Sequence, residues 1–89
     1  MGINKGEMMQ LWEYLTLTVR EGIVKSANGE RLAKEPFWGR IEGQDLPDFL
    51  NDVGKLGWEV IGVSPITSGG VGPIPVELVV ILKRPLQQL

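Results

Sequence analysis

The 89-residue sequence contains no cysteine and no histidine. Without cysteine there is no disulfide framework, no thiol nucleophile and no thiolate metal site. Without histidine the commonest general base and the commonest metal ligand are missing together. Long apolar runs are missing as well. The longest, Leu78 to Leu82, falls far short of the roughly 20 residues that cross a membrane. The first residues lack a signal-peptide core, and Gly6 stands where a myristoylation motif opening on Met1-Gly2 wants Ser or Thr. Basic blocks are absent too. Nine Lys+Arg and eleven Asp+Glu are spread along the chain for a net charge of −2. Phosphate binding needs clustered positive charge, so this spread argues against a nucleic-acid partner. The absences point to a small cytoplasmic protein with no cofactor, no metal and no membrane partner.

What is present is ordinary for a globular chain. Hydrophobic residues make up 43% and charged residues 22%, enough for one domain with a modest core. Residues 1–10 carry no period and read as a flexible leader, 11–85 as a single domain, and 86–89 as a tail. Leu11 to Arg20 alternates at period two and is rich in aromatic and β-branched residues, the pattern of a strand. Leu15, Leu17 and Val19 share one face; Trp12, Tyr14, Thr16 and Thr18 share the other, and neither is clearly polar. Ile23 to Leu32 reads as a hairpin about Asn28-Gly29, two residues that tolerate positive φ, with a short charged return arm suited to an edge. Residues 34–44 form a connection whose Phe37-Trp38 pair is expected to fold back over the sheet as a flap.

A helix is expected over 46–56. Asp45 is placed as its N-cap, Pro47 lies in the tolerant first turn, and Asp48 complements the positive end of the helix dipole. Leu46, Phe49, Leu50, Val53 and Leu56 keep the three-four spacing of one buried stripe, and Gly57 is suited to the left-handed stop. Trp58 to Ser64 reads as a strand stopped by Pro65, with Trp58 or Ile61 joining the core according to parity. Ile66 to Pro75 reads as a Gly/Pro-rich loop. Val76 to Arg84 is the last strand, apolar on both faces and therefore expected to be covered on both.

Candidate chemistry is thin. The charged residues Arg20, Glu21, Lys25, Glu30, Arg31, Glu35, Arg40 and Glu42 read as a solvated edge. Asp45, Asp48 and Asp52 on a short helix read as capping and dipole complementarity, not as a cation site. Gly69-Gly70-Val71-Gly72 lacks the following Lys-Ser/Thr and helix that a phosphate loop requires. An enzyme built on carboxylates alone would need two of them converging in a cleft.

Three blocks in order carry a resemblance: Trp12-Glu13-Tyr14, then Leu50-Asn51 through Gly57-Trp58-Glu59-Val60, then Leu82-Lys83-Arg84-Pro85. They resemble a bacterial family of small domains of unknown function that reads W-E-Y, then L-N-x-x-G-x-x-G-W-E, then F- or L-K-R-P. The resemblance implies a short antiparallel sheet with one helix packed across it, and it implies no established activity. The chain departs from the pattern at Leu15, where a polar residue is usual, and in a longer insertion from Glu30 to Gly43.

The expected fold is therefore α+β, an antiparallel sheet of three to four strands with one helix across one face, in β-β-α-β-β order. The expected function is a non-catalytic binding or assembly module acting as a homo-oligomer, most simply a dimer, because one short helix cannot cover both faces of the sheet. Trp12, Tyr14, Phe37, Trp38, Arg40, Val79 and Ile81 are the candidate ligand or interface residues. The competing reading is a small anionic metabolite bound under the 34–44 flap, lined by Phe37, Trp38, Trp12 and Tyr14 with Arg40 or Arg20 holding the anion. An unidentified protein is the remaining kind of partner.

Overall fold

Alternation in the first strand decides which side of the sheet becomes the core. The computed structural model describes residues 9–36, 40–66 and 77–87. Among them β1 (Trp12–Arg20) puts Leu15, Leu17 and Val19 on one face, and that face packs on the helix. The chain turns at Glu21 and Gly22, both at positive φ (53° and 79°), into β2 (Ile23–Ala27). It turns again at Asn28 and Gly29 (φ 49° and 83°) into β3 (Glu30–Arg31). The Asn28 carboxamide stabilises its turn: its oxygen accepts from the Thr16 N–H at 2.8 Å.

The helix α1 (Leu46–Gly54) follows, then β4 (Glu59–Ile66) and β5 (Glu77–Pro85). The Asp45 side chain caps the helix by accepting from the Asp48 N–H at 3.0 Å. At the other end the Gly57 N–H donates to Gly54 O at 3.0 Å and the Trp58 N–H to Val53 O at 3.2 Å. These are the paired bonds of a Schellman stop, with Gly57 at φ 95° as the left-handed residue.

The described strands form one antiparallel sheet in the order β3-β2-β1-β5-β4. Its central pair, β1 with β5, joins sequence-distant segments in unbroken register from Trp12↔Pro85 to Arg20↔Glu77. Leu17, Val19, Val24, Val80 and Leu82 are fully buried between this sheet and the helix. Leu46, Phe49, Leu50 and Val53 of α1, together with Trp58, close over them.

Four details differ from the expectation, and one choice it left open is decided. The sheet has five strands, because the hairpin's return arm pairs as β3 through Ser26↔Arg31 and Ala27↔Glu30. β4 continues through Pro65 to Ile66, which an edge strand permits because its outer side has no hydrogen-bonded neighbour among the described strands. The stripe residues Leu46, Phe49, Leu50 and Val53 are half-buried, none fully, since a single nine-residue helix lies on the outside of the sheet. Leu56 is 64% exposed: the i→i+3 bond from its N–H to Val53 O tightens the last turn and swings it off the stripe. Trp58, not Ile61, packs on the core, because Ile61 is the extra residue of a β-bulge between Val60 and Gly62. The 67–76 segment, the Phe37-Trp38 flap and residues 1–8 lie outside the described residues.

No helix among the described residues is long and apolar enough to cross a membrane.

Candidate functional site

Lys83 and Arg84 are consecutive on β5, so they point to opposite faces of the sheet. Register places Glu13 opposite Arg84, Tyr14 opposite Lys83 and, on the other side, Glu59 opposite Lys83. On the helix side the Arg84 guanidinium lies over the Trp58 ring at 4.4 Å from its centroid. Its Nε donates to Glu13 Oε1, and its Nη1 donates to Leu56 O at 2.9 Å. On the face opposite the helix the Lys83 ammonium lies 4.0 Å from the Trp12 ring centroid and 3.9 Å from Glu59 Oε1.

Each cation thus meets a tryptophan from one neighbouring segment and a glutamate from the other. The sequence W-E occurs twice, at Trp12-Glu13 and Trp58-Glu59, and alternation sends each tryptophan and its glutamate to opposite faces. The three blocks that carry the family resemblance converge at one end of the sheet as a two-sided clamp. Cation–π contacts contribute about 0.5–2 kcal/mol each, and the partly buried ion pair adds about 1 kcal/mol, so the clamp is a substantial local anchor. Its charged groups are mutually satisfied. Beside it lies an open depression of about 450 Å³ lined by Glu13, Leu56, Gly57, Arg84, Pro85, Leu86 and Gln87.

At the far end of the face opposite the helix, Arg20, Lys25 and Arg31 gather around Glu35 and Glu77. Lys25 Nζ donates to Glu77 at 2.6 Å and lies 3.5 Å from Glu35, and Arg20 is 3.3 Å from Glu35. Arg31 completes the group at 4.0 Å from Glu35. The hydrogen bond to Glu77 raises the Lys25 pKa above the ordinary lysine value; burial opposes this, and the charges of Glu77 and Glu35 assist. Four of the eight charged residues read as a solvated edge, Arg20, Lys25, Arg31 and Glu35, thus join Glu77 in an ion network on one face.

The candidate residues fall in separate places. Trp12 and Tyr14 stand at one end of the face opposite the helix, with Val79 and Ile81 half-buried nearer its middle. Arg40 is exposed at the opposite end of β1, in a depression of about 530 Å³ with Glu21, Ile23 and Ile41. A strand the length of β1 separates it from Trp12 by about 25 Å, so these two do not line a common pocket among the described residues. Arg20 is engaged by Glu35. Phe37 and Trp38 lie outside the described residues. Of the helix aspartates, Asp45 caps the helix and Asp52 accepts from Gln44 Nε2 at 2.8 Å.

Sequence reasoning missed Glu13, Trp58, Glu59, Lys83 and Arg84 as a unit. The signal was available in the opposite charges of W-E-Y and K-R-P, once those blocks are assigned to an antiparallel central pair.

A five-stranded antiparallel sheet with one helix on one face, its last strand clamped by paired Trp-Glu blocks, defines a small α+β domain. The chain belongs to the DUF4177 family, a domain of unknown function, whose model matches residues 12–85. No curated protein and no solved structure matches it.

Proposed function

We propose that this chain is a non-catalytic binding or assembly module that works as a homo-oligomer, most simply a dimer. The observation behind this reading is the apolar surface that one nine-residue helix leaves exposed among the described residues. Leu56, Val60, Ile61, Val63 and Ile66 are exposed along and beside β4, and Trp12 and Tyr14 on the face opposite the helix. Burying one such aliphatic side chain contributes about 1.5–3 kcal/mol, a large share of the stability of about 5–15 kcal/mol that a small domain has. A second copy offering the same surface is the commonest way to cover it. The satisfied charges of the clamp support a structural role at that end of the sheet. The cysteine-free composition suits a reducing compartment such as the cytoplasm.

Light scattering across the micromolar range tests the reading. The expected mass is twice the 9.8 kDa of one chain. A mass of 9.8 kDa up to about 100 µM removes it, since a specific assembly weaker than that has little standing free energy.

A further inference from the structure

The sheet ends in two very unlike edges. At one end β3 is two residues long and both are charged, Glu30 and Arg31. Beyond it the free side of β2 is taken by the returning chain, through the Val24 N–H to Gln44 O at 3.0 Å and the bridge Ile23↔Asp45. At the other end β4 is eight residues long, carries no charge from Val60 to Ile66, and has no neighbour on its outer side among the described strands. Val63 is 59% exposed there, and Val60, Ile61 and Ile66 are exposed beside it.

We infer that β4 pairs antiparallel with β4 of a second copy across a two-fold axis at Val63, joining two five-stranded sheets into one of ten. This rests on the assembly reading above and names the surface that serves it. Proline survives inside a sheet where its missing N–H faces away from the neighbouring strand. Pro65 therefore turns its backbone outward, away from β5, and period two gives Val63 the same orientation. With Val63 on the axis, the two copies exchange a reciprocal pair of Val63 N–H to C=O bonds. Pro65, which has no N–H to give, comes opposite Ile61 of the second copy, so the ladder loses a bond at each end and splays where the Ile61 bulge interrupts it.

Charge agrees with this register. Glu59 is the only charged residue of β4, and the axis sends the two Glu59 side chains to opposite ends of the pairing, about 26 Å apart. That exceeds a screening length of about 8 Å, so no like charges meet. The occupant follows from closure: a sheet with one competent edge joins one other copy and stops, where two competent edges would grow a filament. An eight-residue edge with Leu56, Val60 and Val63 flanking it buries on the order of 1,000 Å² over both copies, the low end for a specific interface, so the dimer dissociates in the micromolar range.

The absence of cysteine makes a clean test, because one introduced thiol is the only thiol. Paired Cα atoms at such a hydrogen-bonded position lie about 5.5 Å apart, inside the window that a disulfide spans. Under mild oxidation Val63→Cys should form a covalent dimer nearly to completion, while Tyr14→Cys, exposed on the face opposite the helix, should remain a single chain. Cross-linking of Tyr14→Cys with Val63→Cys left single overturns the β4 pairing while the assembly reading survives. Both variants single, with the unmodified chain at 9.8 kDa, removes the assembly reading and the pairing together. Hydrogen exchange on the unmodified chain gives a measurement free of substitution. The Val63 amide should gain protection of tenfold or more between about 1 and 100 µM, and exchange there that ignores concentration overturns the pairing.

Discussion

The two edges of this sheet are built from opposite materials. β3 is brief and charged, and the rest of the free side of β2 is taken by the chain returning through Gln44 and Asp45, so the hydrogen-bonding potential of this edge is short and crowded. β4 is long and apolar, and its inner side is held with care: register to β5 along its length and a clamp at its Glu59 end. The difference teaches that the domain invests its ordering interactions beside the edge it leaves open. A strand that must present a defined outer side to a neighbour needs a fixed position, while a closed edge needs only to be unattractive. The bulge at Ile61 and the proline at 65 narrow the choice of register, which limits indiscriminate pairing.

The comparison can be broken most severely at the centre, on which both edges depend. Leu82→Ala removes a side chain that is 1% exposed and should cost about 2–5 kcal/mol in urea unfolding. Loss of amide protection at β3 and β4 together would show one cooperative unit; loss at one alone would split the domain. Next in size, Arg84→Ala removes the Trp58 stack, the Glu13 ion pair and the bond to Leu56 O, an expected loss of about 1–3 kcal/mol. Exchange should quicken in β4 while β2 and β3 hold; uniform loosening would deny that the clamp serves the open edge. On the other side, Asn28→Ala forfeits the contact to the Thr16 N–H and puts a less tolerant residue at φ 49°, for about 1 kcal/mol. Its effect should stay at β2 and β3.

The smallest effect concerns pH. Lys25 has its pKa raised in the folded chain, first by the hydrogen bond to Glu77. A group whose folded pKa lies above its unfolded value contributes stability that is complete below the unfolded value and is lost as pH rises through the folded one. Thermal stability should therefore decline above pH 10.5 more in the unmodified chain than in Lys25→Met. Equal declines would show that the ion network adds nothing to folding.

Local signals made much of this legible in the sequence. Asn28-Gly29 announces its turn because those residues tolerate the backbone angles that the turn demands, and Asp45 announces the helix because a short side chain can reach a free N–H. Glu21-Gly22 gave a weaker signal, since glutamate at φ 53° is held there by the pairing of β1 with β2 and not by preference. Leu56 kept the helical spacing yet lies outside the packed stripe, because the helix ends two residues before it. The clamp was present as three blocks of letters. Glu13 and Arg84 stand 71 positions apart, and only the β1–β5 register shows that they meet. Val79 and Ile81, interface candidates by their apolar alternation, are half-buried, and the more exposed apolar side chains lie along β4.

The pairing of β1 with β5 also has a history in time. Leu17, Val19 and Val24 are made early in synthesis, whereas Val80 and Leu82, which share their core, are made more than fifty residues later. A growing chain that has already formed the β1–β2 hairpin must carry these three apolar side chains uncovered until the far partner emerges. Closing so long a loop delays the decisive contacts, so this small domain should fold more slowly than its size suggests. In the cell, the interval before Leu82 appears is when a chaperone would find the most to hold.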